Sequence, residues 1–261
     1  MTEAEGSLLI SVISITLDDR EGLINTVESL KSQVNPPSYE HIIVDGVSNY
    51  DVPQLLAELG SQARLYQGPD CGIYDAMNCG TDMARGEYLL YLNSGDQLCD
   101  SGVMATLAET LLHRRPDFLW CDSLERQLDG KVCYKSSREI KYLPFGMITH
   151  HQAMLFRRSV VEKKAIRYDL AYTIAADYDF VLRHVRNSRV KCYLPEPVCV
   201  FARGGMSYQR RHMGRIEQYR IRRDTYGSAL FSGLVFIAQL ALRSFRSILP
   251  SGYWALRKRL G

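Results

Sequence analysis

Dense apolar runs alternate along the chain with segments in which apolar residues return every three or four positions. LLISVISIT, Leu8 to Thr16, is apolar and β-branched and reads as a buried strand. In LDDREGLINTVESLKSQ, which follows, Asp18 or Asp19 caps a helix whose apolar face includes Leu23, Val27 and Leu30. YEHIIVDG, Tyr39 to Gly46, is a second strand ending in a carboxylate. VPQLLAELG is a short helix closed by Gly60, and ARLYQG is a third strand. Gly72 to Arg85 reads as a helix broken at Gly80, and GEYLLYLNSGD as a fourth strand. Ser101 to Arg115 is a helix, and DFLWCD a fifth strand. Strands and helices that alternate with short connections predict an α/β architecture, a mostly parallel sheet covered by helices on both faces.

After Asp122 the rhythm changes. A hairpin with a turn at Asp129–Gly130 is expected, then MITHHQAMLFRRSVV, a helix over Ala175 to Asn187, and VKCYLPEPVCVFA as a strand interrupted by prolines. No internal repeat or low-complexity segment is visible.

The overall charge of +3 points to no partner, but its distribution does. From Arg203 onward there are 12 Lys and Arg against 2 acidic residues, so an acidic-leaning body carries a basic tail. Within that tail ALFSGLVFIAQLAL, Ala229 to Leu242, holds no charge and is followed by Arg243 and Arg246. It is too short to span a bilayer and matches either an interfacial helix on an anionic membrane or a helix packed on a protein surface. The apolar run does not suit a solvated stripe on nucleic acid, so no nucleic-acid partner is expected. The seven cysteines form no CxxC pair, and the first residues show no signal peptide, which together suit a reduced, cytoplasmic compartment.

In open parallel sheets ligands bind beyond the carboxyl ends of the strands. Asp45 closes the second strand and YLNSGDQL closes the fourth, so both carboxylates are expected along one rim. Asp45 suits a ribose or base contact, or an Asx turn. Asp96 suits Mg²⁺ or Mn²⁺, which favour oxygen ligands, or a type I or II turn built from Asn, Ser, Gly and Asp. In AADYD, Asp177 and Asp179 point apart on a helix; Asp177 suits a general base or a cap, and Asp179 an arginine partner or solvent. His150 and His151 lack zinc spacing and suit a polar pocket wall or satisfied histidines. RGGMSYQRRH, Arg203 to His212, joins a glycine pair to bases that suit diphosphate oxygens, or a solvated linker.

Together VDGVSNYD, DCGIYDAMNCGTDMARGEYLLYLNSGD, THHQAMLFRR, AADYDFVLR and FARGGMS resemble the inverting nucleotide-sugar glycosyltransferases of family 2, which have the GT-A fold. The resemblance runs from about Leu8 to Arg223 and is greatest to the bacterial exopolysaccharide group, colanic acid biosynthesis included. It implies a GT-A domain over 8–223, with a donor half to 122 and an acceptor half from 123, and a basic, apolar helical tail over 224–261. It implies that Thr16, Asp18, Asp45, Asp70, Asp75, Asn78, Asn93 and Ser94 line the donor, with Asp75 toward the base or ribose. Asp96 is then the metal ligand, in a motif that often carries two or three aspartates. Here Asn93 stands first and Gly95 third. Asp177 is the general base, where relatives often carry Glu-Asp and this chain has Ala176–Asp177. His151, Arg203, Arg210 and Arg211 are expected at the acceptor or diphosphate. The implied partners are a nucleotide-diphosphate sugar, a polyprenyl-diphosphate-linked saccharide and the cytoplasmic face of the inner membrane.

Two other classes remain open. A nucleotidyltransferase acting on sugar phosphates would usually place a glycine-rich basic loop where this chain has LDDREG. A non-catalytic, membrane-associated binding module would use the tail and need neither Asp96 nor Asp177.

Overall fold

The computed structural model describes residues 8–202 and 210–248. The elements run β1 (Ile10–Thr16), α1 (Arg20–Lys31), β2 (Tyr39–Asp45), α2 (Val52–Glu58), β3 (Arg64–Gln67), α3 (Ile73–Met83), β4 (Tyr88–Tyr91), β5 (Gln97–Leu98) and α4 (Val103–Arg114). Then come β6 (Phe118–Arg126), β7 (Val132–Lys135), β8 (Met154–Arg157), α5 (Arg158–Lys163), α6 (Ala176–Asn187), β9 (Lys191–Ala202), α7 (Arg211–Tyr226) and α8 (Ala229–Ile248). Two 3-10 segments, Ile140–Phe145 and His151–Ala153, precede β8.

The strands form one sheet in the order β3-β2-β1-β4-β8-β6-β9-β5, with β7 paired to β6. The first four strands of that order are parallel, as the alternation predicts. Beyond β4 the sheet is mixed: β8 is antiparallel to both β4 and β6, β9 is parallel to β6, and β5 is antiparallel to β9. This corrects the mostly parallel sheet. The fourth and fifth strands of the sequence are not neighbours, because β8 enters between them from later in the chain, and periodicity carries no information about such an insertion.

Alternate residues of the strands serve two cores. Ile13, Leu89 and Tyr91 face α3 and α6, whereas Ile10, Val12, Tyr88 and Leu90 face α1 and α4. A smaller cluster of Leu23, Val27, Ile43, Val52 and Leu55 seats α1 and α2. Full burial of each large apolar side chain contributes about 1.5–3 kcal/mol, which is why these strands read as unbroken apolar runs.

Two local expectations change. Gly80 does not break α3; it lies within the helix, against Ile13 of β1. β9 runs unbroken through Pro195 and Pro197, and the irregularity falls in its pairing with β6, between Cys121 and Leu124. The division at 122–123 falls inside β6, and that at 223–224 inside α7. The Asp129–Gly130 turn is present, with Gly130 at φ +82° and its amide donating to Gln127 O at 3.0 Å.

None of the helices among the described residues is long and apolar enough to cross a membrane. α8 packs one side against the body: Phe231 meets Phe145 and Tyr226, and Gln239 Nε2 donates to Phe145 O at 2.9 Å. Its other side leaves Leu230, Leu234 and Ile237 at 76%, 59% and 63% exposure, so the apolar run is covered on one side only. All seven cysteines are free, and Cys121, Cys192 and Cys199 are buried core residues.

Candidate active site

The ends of β1, β2 and β4 form one rim. Thr16 pairs with Asp45 in register, and beyond β4 the chain keeps to β1, with Ser94 N donating to Ile15 O at 3.1 Å. Asp45 is fully buried and accepts from Ser48 N at 3.0 Å, Ser48 Oγ at 2.6 Å and Gln67 Nε2 at 3.0 Å. Its carboxylate therefore forms the Asx-type turn and braces the loop after β2. Asp18, at φ +54°, ties that loop to the one after β1: its Oδ1 accepts from Asn49 N at 2.7 Å, and its own N–H donates to Ser48 Oγ at 2.9 Å. Asp70 accepts from Gly72 N at 2.8 Å, and its other oxygen lies beside Gly46. Asp75, in the first turn of α3, accepts from Cys71 N at 2.9 Å. Thr16 Oγ1 is buried with no hydrogen-bond partner.

Asn93 to Asp96 is a β-turn. Asp96 N donates to Asn93 O at 2.9 Å, and Gly95 at φ +89° holds the position that a type II turn reserves for glycine. Thr26 of α1 pins the turn from below, its hydroxyl meeting Asp96 O at 2.7 Å, Asn93 O at 3.2 Å and Gly95 N at 3.1 Å. Ser94 Oγ donates to Asp19 Oδ2 at 2.9 Å, while Asp19 Oδ1 caps α1 through Gly22 N at 3.0 Å. The helix cap chosen between Asp18 and Asp19 is thus Asp19, and it brings a second carboxylate to the turn.

Asp96 is buried. Gln152 Nε2 donates to its Oδ2 at 2.7 Å and Ala202 N to its Oδ1 at 3.1 Å. Burial pushes its carboxyl up to about 7; those two donors oppose the rise and the charge of Asp19 adds to it. Asn93 Oδ1, in the same turn, is buried without a partner. This set offers oxygen only, and a cation would relieve both the crowded negative charge and the unmet amide oxygen. Among the described residues no three His, Cys, Asp or Glu side chains gather closely enough to hold an ion by themselves. The residues fit an ion whose remaining ligands come from a bound diphosphate.

Asp177 lies in the first turn of α6, with Tyr178 N donating to its Oδ1 at 2.7 Å. Burial pushes its carboxyl up to about 6, against the hydrogen bonds that favour the anion. Tyr74 of α3 and Tyr168 lie within electrostatic reach of it. Asp179 turns away and pairs with Arg183 at 2.5 Å, the arginine partner expected of it. The two carboxylates therefore do different things.

The histidines point apart, as expected. His150 meets Ser123 Oγ at 2.9 Å and Glu125 at 3.4 Å and stacks on Phe201. His151 lies inside the aromatic core, stacked on Tyr91 with Nε2 at 2.7 Å from Tyr168 Oη, and burial lowers it to about 3, so it is neutral. Electrostatic attraction for a diphosphate is therefore absent from His151. The side chain of Asn78 is taken up by backbone groups. Its Nδ2 donates to Tyr168 O at 3.0 Å and its Oδ1 accepts from Tyr168 N at 2.9 Å, a reciprocal clasp between α3 and the segment before α6. Arg210 is exposed at the start of α7, Arg211 begins that helix, and Arg203 lies outside the described residues.

Sequence reasoning missed Gln152, Thr26, Asp19 as a neighbour of the turn, and Glu217. Gln152 was visible only as the polar end of THHQ. Glu217 of α7 accepts from Thr173 N at 2.9 Å, Thr173 Oγ1 at 3.0 Å, Ile174 N at 2.9 Å and Ala175 N at 2.8 Å, directly ahead of Asp177.

A glycosyltransferase of Mycobacterium tuberculosis, itself uncharacterized, is 35% identical to this chain over 181 residues, 67% of this chain and 68% of the relative. A PGL/p-HBAD biosynthesis glycosyltransferase of Mycobacterium bovis is 29% identical over 184 residues, 69% and 70% of the two chains. Among solved structures, Staphylococcus aureus TarS 1-349 in complex with UDP-GlcNAc superposes with a TM-score of 0.70 at 16% identity, over 92% of this chain and 74% of that one. The mannosyltransferase PcManGT of Pyrobaculum calidifontis, with GDP-Man and Mn²⁺, gives 0.62 at 16% identity, over 96% and 78%. Those two likenesses concern the fold. The model of glycosyl transferase family 2 matches residues 11–170, from β1 through the turn at Asp96 to the segment before α6, and the chain belongs to that family of nucleotide-sugar-dependent glycosyltransferases.

Proposed function

We propose that the chain transfers a sugar, with inversion, from a nucleotide-diphosphate sugar to a hydroxyl of a polyprenyl-diphosphate-linked saccharide on the cytoplasmic face of the bacterial inner membrane. The polymer is an exopolysaccharide, with colanic acid as the specific case suggested by resemblance. The observation that carries the reading is Asp177: a carboxyl held near 6 at a helix N-terminus, poised to accept a proton at neutral pH.

In this mechanism the acceptor oxygen attacks the anomeric carbon as the bond from that carbon to the diphosphate oxygen breaks. The hydroxyl proton passes to Asp177, and the nucleoside diphosphate leaves with the bonding electrons. Attack opposite the leaving group inverts the anomeric configuration. Asp96, Asn93 and the nearby Asp19 would hold Mg²⁺ or Mn²⁺, which supplies charge neutralisation at the diphosphate. The rim loops braced by Asp18, Asp45 and Asp70 receive the nucleoside. Arg210 and Arg211, with Arg203, serve the diphosphate. Membrane contact is assigned to the exposed stripe of Leu230, Leu234 and Ile237, next to the arginines that follow in sequence.

The test uses a panel of UDP-, GDP- and dTDP-sugars with Mn²⁺ or Mg²⁺ to fix the donor by its hydrolysis. Asp177→Asn is then compared with the parent chain. Transfer is lost while donor binding persists; undiminished turnover by the variant would sink the base assignment.

A further inference from the structure

The segment entering α6 carries Asp177 but has no side-chain cap of its own: Ala175 stands at the N-cap, with no polar side chain to meet the amides around it. Glu217 fills that gap from another helix. Its Oε1 accepts from the amide and hydroxyl of Thr173, and its Oε2 from the amides of Ile174 and Ala175. An ionised carboxylate accepts at about four lone-pair sites and donates nothing. Four donors thus use its capacity fully. Glu217 is itself 5% exposed, and loss of its bonds to Ile174 and Ala175 would leave two buried amide donors unsatisfied.

The consequence reaches the base. Three successive amides held by one carboxylate fix the path of the chain two residues before Asp177, and so fix where α6 begins. The opposite wall of the same spot is also tied down, since Tyr74 Oη donates to Ile174 O at 2.7 Å. Residue 174 is therefore gripped on its N–H by α7 and on its carbonyl by α3. We infer that Glu217 is a positioning residue for the general base, an extrinsic cap through which helix α7 sets the place of Asp177. This rests on the assignment of Asp177 as the base.

Charge adds a second signature. The titratable groups facing Asp177 are Tyr74 of α3, Tyr168 ahead of α6 and Glu217 of α7; Asp179 on its own helix is occupied by Arg183. Of these, Glu217 is the group whose charge opposes ionisation of Asp177.

The experiment is a titration of Asp177 in the full chain, followed by the carboxyl carbon signal of ¹³C-labelled aspartate and identified by its absence in Asp177→Asn. Amide exchange across 173–177 is measured alongside. In Glu217→Gln the midpoint of Asp177 moves down from about 6, exchange of the three amides accelerates, and turnover at pH 7 falls by roughly tenfold to a hundredfold, as expected for a displaced reacting group. Glu217→Asp, which keeps the charge on a shorter arm, restores the midpoint more than it restores turnover. An unchanged midpoint with unchanged exchange in Glu217→Gln overturns the inference. The titration needs no turnover, so that failure is distinct from full activity of Asp177→Asn, which would remove the base itself.

Discussion

Gln152 donates to Asp96 at 2.7 Å, while its neighbour His151 turns the other way to meet Tyr168. One dipeptide thus braces the acidic turn on one side and the aromatic core ahead of α6 on the other. Gln152→Ala removes a donor that favours the ionised form of Asp96 and leaves the carboxyl more readily protonated. Affinity for the nucleoside diphosphate with Mn²⁺ falls on the order of tenfold, a loss of about one charge-assisted hydrogen bond. Calorimetry with UDP and with GDP checks this; unaltered affinity for the better of the two would separate Gln152 from the site.

Asp96 and Asp177 have folded-state values of about 7 and about 6, above the ordinary carboxylate range near 4. Between about pH 4 and pH 7 the folded chain therefore binds more protons than the unfolded one, and stability falls as pH rises through that window. The combined effect is on the order of several kcal/mol. Thermal melts of the ligand-free chain show it, and the melting temperature of Asp96→Asn relative to the parent is more favourable at pH 8 than at pH 5. An equal difference at both pH values would contradict the raised value for Asp96.

The clasp between Asn78 and Tyr168 predicts a structural phenotype. Asn78→Ala loses two hydrogen bonds and exposes two backbone groups of Tyr168 to an apolar neighbour. The cost is about 1–3 kcal/mol, seen as a lower urea midpoint, with donor affinity maintained. A weakened donor at unchanged stability would return Asn78 to the donor pocket.

The exposed stripe on α8 predicts that Leu234→Glu and Ile237→Glu reduce sedimentation with vesicles containing phosphatidylglycerol and leave the melting temperature within about 1 °C, since neither side chain is in the core. Equal sedimentation would refute the membrane assignment. Binding to neutral vesicles as strong as to anionic ones would remove the role given to the arginines.

Much of this molecule was legible in the chain. Apolar periodicity located β1 to β4 and the helices between them, because β1, β2 and β4 are largely buried on both faces and each helix on one. The family resemblance drew attention to Asp96 and Asp177, and the composition of YLNSGDQL already contained the turn, with Gly95 at the one position that needs a positive φ. The turn reading holds, and the same turn presents the carboxylate that the proposed function assigns to a cation.

What the tertiary structure alone decided is everything that depends on meetings between distant segments. β8 inserts between β4 and β6 from far along the chain, and this turns a parallel sheet into a mixed one. Asp96 meets Gln152 and Ala202 across 56 and 106 residues, and the burial that this packing creates raises its carboxyl against those two donors. His151 became a neutral core residue because four aromatic rings surround it, a fact absent from THHQ itself. Glu217 acquired its role from a helix that reads, residue by residue, as a solvated basic segment. Local sequence determines which backbone shape a segment prefers. Burial and hydrogen-bond partners are set by packing, and they decide which carboxylates are spent as braces and which are buried with a raised affinity for the proton.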